Sequence, residues 1–262
     1  MRGTCRMGMA VIALTFVEAL PALSQDDRIR HALDALVTSY PQALVSHDGN
    51  AVHWRDGTVM TASDGASEKP FHDRIDHSSL VDQFHDPYPH GRLPGPPAVD
   101  VDPGRYRNLA FFTKMYGDCR KGEVSARLVP VVWLPKSWGK RIQITSVSGV
   151  NEHLAAVSEE IESLPEKIRR AAYPSAGTYN CRPVADTGLP SAHGFGIAID
   201  LNIGVSDYWY WQSHNGSINY RNRMPDEIVA IFERHGFIWG GKWYHFDTMH
   251  FEYRPELLAI DN

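Results

Sequence analysis

An α+β fold with a small, mainly antiparallel sheet is predicted by three features of this 262-residue chain. Segments that alternate like strands and segments with helical spacing follow one another without the regular βαβ order of a parallel sheet. Two of the strand segments, 197–202 and 248–253, place histidine and carboxylate side chains on their polar face. The apolar stripes of the helical segments need a partner surface, so the helices are expected behind that sheet.

The elements follow in chain order. Arg2 and Arg6 precede the apolar run Met7–Val17, and Ala22-Leu23-Ser24 offers small residues for cleavage, so residues 1–24 read as a secretory signal peptide. The run is too short for a comfortable membrane span, and no later segment approaches one. Residues 25–104 read as an N-terminal extension. In it, Ile29, Leu33, Leu36, Val37 and Tyr40 recur at helical spacing. Val52-His53-Trp54-Arg55 and Thr58-Val59-Met60 flank Asp56-Gly57, a hairpin turn signal. From Ser63 to Arg105 the chain is rich in Asp, His, Pro and Gly, which predicts a long wrapping arm. Its prolines suit a surface course, and His72, His77, His85 and His90 fit no metal-ligand spacing.

Residues 105–262 read as the main domain. Leu128–Leu134 and Ile142–Thr145 are strands joined by a turn over 135–140. Asn151–Leu164 is a helix with Leu154, Val157, Ile161 and Leu164 on one stripe, ended by Pro165. Met224-Pro225 opens a second helix, Asp226–His235, and Gly236 closes it. In 197–202, Ile197, Ile199 and Leu201 point to the core, and Ala198, Asp200 and Asn202 to the other face. In 248–253, Met249, Phe251 and Tyr253 point inward, while Thr248, His250 and Glu252 share the opposite face. The aromatic run Tyr208-Trp209-Tyr210-Trp211 reads chiefly as packing.

Composition narrows the function classes. The net charge is −5, and −6 once Arg2, Arg6 and Glu18 leave with the signal, which gives no electrostatic case for nucleic acid. Cys5 also leaves. Cys119 and Cys181 then form an even pair in an oxidising compartment, which predicts a disulfide. No Cys-x-x-Cys and no His-Glu-x-x-His occurs, so neither a zinc finger nor a thermolysin-like helix is present.

Two phrases carry the chemistry. Ser191-Ala192-His193-Gly194-Phe195-Gly196-Ile197-Ala198-Ile199-Asp200 sets an imidazole and a carboxylate apart across glycines that can turn sharply. Asp247-Thr248-Met249-His250-Phe251-Glu252 adds an imidazole with a carboxylate three residues before it. Two His and one Asp suit a catalytic zinc with an open position for water, and a spare carboxylate suits a general base. Ser191 lacks a Gly-x-Ser-x-Gly elbow, so it is read as tying down the turn rather than as a nucleophile. His245 is read as a cleft-wall residue or one that orients a ligand, and Glu252 as an imidazole partner or a solvated edge carboxylate.

The phrase Ser-x-His-x-x-Gly-x-Ala-x-Asp, followed by an acid three residues before a His, resembles the signature of bacterial peptidoglycan zinc peptidases. These are D-alanyl-D-alanine carboxypeptidases and dipeptidases and L-alanyl-D-glutamate endopeptidases. The resemblance spans roughly residues 105–258. It implies one zinc held by His193, Asp200 and His250, and Asp247 as general base, an Asp that leans toward the endopeptidase branch. Arg182, upstream of the first ligand, matches the arginine that binds the scissile carbonyl or a substrate carboxylate. An exported peptidase of peptidoglycan stem peptides follows, periplasmic or secreted, with no stable membrane insertion; the oligomeric state is left open, with a monomer favoured. A non-catalytic zinc-bearing wall-binding module and a zinc hydrolase of another amide or ester stay open, since fold and metal do not fix substrate.

Overall fold

Apolar faces of helices and strands from both halves of the chain meet in one continuous core, from Leu33 and Leu36 through Phe112, Trp133 and Leu154 to Phe232 and Phe251. The structure is a computed structural model and describes residues 24–66, 68–184, 188–214 and 217–260. The expected signal peptide lies outside the described residues apart from Ser24. The Ser24 hydroxyl accepts the Asp27 N–H at 3.1 Å and caps the first helix, α1 (Gln25–Ser39). Leu33 and Leu36 of α1 are fully buried, as their spacing predicts. Strands β1 (Leu44–His47), β2 (Ala51–Trp54) and β3 (Val59–Thr61) form an antiparallel sheet. Asp56-Gly57 turns the chain between β2 and β3, with Gly57 at φ 84°.

The segment expected as a surface arm is packed instead. It contains α2 (Phe71–Asp76) and a 3-10 turn, Val81–Phe84, and it buries Leu80, Gln83, Tyr88 and Asp102. The partners explain why no periodicity announces this. Tyr88 Oη bonds Glu233 at 2.7 Å and accepts the Trp239 N–H at 2.9 Å, both about 150 residues away in sequence. The four histidines of this segment form no metal-ligand group among the described residues. Asn108 then caps α3 (Leu109–Tyr116), which sends Phe111, Phe112, Met115 and Tyr116 into the core.

Strands β4 (Leu128–Trp133) and β5 (Lys140–Thr145) pair antiparallel from Leu128 opposite Thr145 to Trp133 opposite Lys140. Helix α4 (Val150–Glu162) buries the predicted stripe of Leu154, Val157 and Ile161, and α5 (Glu166–Arg169) follows. The remaining elements are β6 (Ala198–Asp200), the two-residue pair β7 (Ser213–His214) and β8 (Ser217–Ile218), α6 (Asp226–Arg234), β9 (Phe237–Trp239), β10 (His250–Tyr253) and α7 (Pro255–Leu258). The fold is α+β with small antiparallel sheets.

The sheet that matters runs β6–β10–β9, all antiparallel. Its register sets His250 opposite Asp200 and Glu252 opposite Ala198. Adjacent partners on one face are close enough for their side chains to meet. Behind the sheet, Phe251 stacks on Phe232 of α6 with ring centroids 3.9 Å apart. Strand β10 is shorter than the 248–253 reading because residues 247–250 form a turn, His250 N–H bonding the Asp247 carbonyl at 3.2 Å. All four β10 residues are buried, so neither face is the open one that alternation suggests. Gly196 joins this sheet to β5, its carbonyl accepting the Thr145 N–H at 2.9 Å. At φ 68°, a Cβ there would lie 2.9 Å from Leu128 Cδ2, so glycine is required.

Candidate metal centre

His193 stands in a 3-10 turn, Ala192–Phe195, that the buried Ser191 begins. The Ser191 hydroxyl accepts the His193 N–H at 3.3 Å. The ring donates from Nδ1 to the Thr178 carbonyl, which leaves the lone pair of Nε2 free to bind. In β10 the arrangement is mirrored. His250 Nε2 pairs with Glu252 Oε2 at 3.1 Å, leaving Nδ1 for the cleft side.

These two nitrogens and one carboxylate oxygen converge. His193 Nε2 lies 3.2 Å from His250 Nδ1 and 3.2 Å from Asp200 Oδ1, and the latter two are 3.1 Å apart. Among the described residues it is the one group of His, Cys, Asp or Glu whose ligand atoms close on one another in this way. A tetrahedral zinc with ligands at 2.0–2.1 Å has an edge of about 3.3 Å, so this triangle fits three of its corners. Asp247 lines the same cleft as the triangle. Its Oδ1 is buried and has no hydrogen-bond partner among the described residues. An orphaned carboxylate oxygen beside a ligand triangle is where a water would be accepted.

The charges fit a cation at the centre. Burial alone would raise the Asp200 carboxyl, but the hydrogen bonds and charges of His193 and His250 outweigh it and hold it well below the usual range. Burial opposes charge on His250, yet Asp200 and Glu252 push its imidazole up to about 10. The site thus favours a cation between these groups, whether a proton or a metal ion. Glu252 is fully buried, which removes the solvated-edge reading. Against its burial, the charge of Arg107 and the bond to His250 hold its carboxyl below the usual range. Asp247 goes the other way: burial, with the negative Asp200 adding to it, pushes its carboxyl up to about 6.

One cleft brings these groups together with Arg182, Ser191 and His245. Arg182 is exposed at its edge, and its side chain makes no hydrogen bond or ion pair among the described residues. Backbone bonds fix its place: Arg182 N–H to the Asn180 carbonyl at 2.9 Å, and Ser191 N–H to the Arg182 carbonyl at 3.2 Å. The predicted disulfide, Cys119–Cys181, is present immediately beside it. Tyr208 and Trp209 line the cleft, while Tyr210 and Trp211 are 67% and 50% exposed, so the aromatic run is not core packing. Sequence reasoning missed Arg105 and Arg107, which also line the cleft, and Asp102, which lies beneath it. The available signal was Asp102-Pro103-Gly104-Arg105-Tyr106-Arg107, two cations at strand-like spacing at the end of a largely acidic arm.

Residues 185–253 match the family model described as D-alanyl-D-alanine carboxypeptidase. The resemblance to peptidoglycan zinc peptidases is borne out over this segment. It contains His193, Asp200, Asp247 and His250, and it ends short of Arg182 and of the N-terminal cleft wall. The match supports a metallopeptidase in general. No curated protein and no solved structure matches the chain. No described helix is long and apolar enough to cross a membrane.

Proposed function

We propose that the chain is an exported zinc peptidase that hydrolyses an amide bond in peptidoglycan stem peptides. The observation that carries this reading is the triangle of His193 Nε2, His250 Nδ1 and Asp200 Oδ1 beside the unpartnered Asp247 Oδ1. His193, Asp200 and His250 would hold the metal, and Thr178 and Glu252 would keep their rings turned toward it. When bound, zinc supplies an acidified water and polarises the scissile carbonyl.

The chain's own residues do the rest. Asp247 accepts a proton from the attacking water at Oδ1 and returns it to the leaving amine. Arg182, exposed at the cleft edge, offers a charged planar fork to the oxyanion or to a substrate carboxylate. A non-catalytic binding module has no use for an unpartnered buried carboxylate oxygen, which costs about 1–3 kcal/mol to keep. The N-terminal pattern of Arg2, Arg6 and the apolar run supports export, and the family description supports a peptidoglycan substrate.

Digestion of purified peptidoglycan with and without a chelator, followed by mass spectrometry of new ends, tests the reading. New amino and carboxyl termini should appear only with metal present. Termini that persist in chelator, or none in either arm, would overturn it. The identity of the new ends separates a carboxypeptidase from an endopeptidase.

A further inference from the structure

We propose that Arg105, clamped beside His245 by the buried Asp102, forms a subsite of the cleft that receives a carboxylate of the substrate. The inference rests on the peptidase reading and adds to it the feature of the peptide that the enzyme selects. None of the family-matched segment supplies Arg105 or Asp102, so the N-terminal half of the chain provides this wall.

The clamp is a built feature. The Asp102 side chain has no solvent exposure, and its Oδ2 accepts from both Arg105 at 2.8 Å and His245 Nδ1 at 2.7 Å. Its Oδ1 accepts the His245 backbone N–H at 3.0 Å. Burial alone would raise the Asp102 carboxyl, but the His245 hydrogen bond and the Arg105 charge outweigh it, so it is ionised. An ionised carboxylate only accepts, which places a proton on His245 Nδ1 and leaves Nε2 without a protein partner among the described residues. Phe71 and Trp209 hold the imidazole from two sides, with centroids 5.4 and 5.0 Å away. Trp243 lies 6.0 Å from the Arg105 guanidinium.

The other arginines of the cleft are occupied differently. Arg107 directs its Nη1 to both oxygens of the buried Glu252, at 3.1 and 3.3 Å, where it neutralises the partner of His250, and Arg182 is exposed at the edge. Arg105 is held in place yet uses one of its five N–H groups on Asp102, so its fork retains donors. A guanidinium fixed in a partly dry wall, with donors to spare, is suited to a carboxylate through parallel charge-assisted bonds. A stem peptide offers that chemistry in two places, at its carboxyl terminus and at the branch carboxylate of a γ-linked glutamate.

Three forms of one synthetic stem peptide distinguish the sources: the free acid, the form amidated at the carboxyl terminus, and the form amidated at the γ-linked glutamate. Binding and kcat/KM are measured on the zinc-loaded wild type and on Arg105→Gln. One amidation should weaken wild-type binding at least about tenfold, the scale of one charge-assisted hydrogen bond. Arg105→Gln should lose a similar factor on the free acid and no longer distinguish it from that amide. A variant that keeps the preference, or a wild type that has none, overturns the subsite. If Arg105→Gln melts well below wild type, Arg105→Lys replaces it, keeping the charge but lacking the fork; the preference for the free acid should then shrink several-fold, and one equal to that of wild type again overturns the subsite. Acid-selective binding without cleavage leaves the subsite and overturns the peptidase reading, whereas cleavage without selectivity does the reverse.

Discussion

At the scale of single residues, each ring of the candidate centre is turned by one outward hydrogen bond, His193 to the Thr178 carbonyl and His250 to Glu252. These bonds decide which nitrogens converge at the proposed metal site, and a ligand lost from such a triangle would leave two donors that hold zinc poorly. His193→Ala is therefore expected to lose most of its metal, and metal analysis of the purified variant measures it. One tightly held zinc per chain in that variant would remove the assignment. Asp247→Asn is nearly isosteric but cannot take a proton. It should keep the metal and lose about a hundred- to ten-thousand-fold in turnover. Near-normal rates in metal-replete Asp247→Asn would move the base role to another group, with Glu252 or His245 the next candidates.

At the scale of elements, the register of β6 on β10 joins two phrases that lie fifty residues apart, setting Asp200 across from His250. The turn carrying His193 is held from three sides: by Ser191, by the Gly196 bond to β5, and by the stretch around Cys181. The Cys119–Cys181 bond fastens that stretch to the turn after α3, and 62 residues separate its ends. Closing a loop of this length is worth about 4 kcal/mol in the chain-entropy account. Cys119→Ser should lower unfolding stability by about that amount in denaturant titrations, and wild type under reducing conditions should follow it. Equal midpoints for oxidised and reduced protein would show that the bond adds nothing to stability.

At the scale of the molecule, we read residues 25–104 and 105–262 as one folding unit. Leu33, Leu36 and Tyr40 of the N-terminal part are fully buried in the shared core. Tyr40 Oη bonds Glu256 at 2.7 Å, Glu256 bonds Arg254, and Arg254 bonds Glu252, the partner of His250. This buried chain of polar groups runs from the end of α1 to the metal centre, and breaking such a network by removing one partner typically costs about 3–5 kcal/mol. Each of the three buried side chains adds about 1.5–3 kcal/mol, against a total stability of about 5–15 kcal/mol for a domain. A chain shortened to residues 105–262 should thus lack a cooperative melting transition and near-ultraviolet circular dichroism. A sharply melting fragment with full zinc uptake would make the N-terminal part a separate accessory.

The primary sequence alone determined a candidate ligand set, a candidate base, the paired cysteines and most of the elements. Those features are local: a residue type at a spacing, a cap, or an apolar stripe, each legible within a few residues. His193 and Asp200 lie in one phrase and Asp247 and His250 in another, so the chemistry could be read before the fold. Tertiary structure alone decided that the polar, proline-rich segment over 63–105 is packed, that Glu252 is buried, and that Arg105, Arg107 and Asp102 belong to the cleft. The partners of these groups, Glu252 for Arg107 and His245 for Asp102, lie more than 140 residues away. No periodicity marks a charge that is buried by pairing, because its burial depends on a counter-charge that only the completed fold brings alongside.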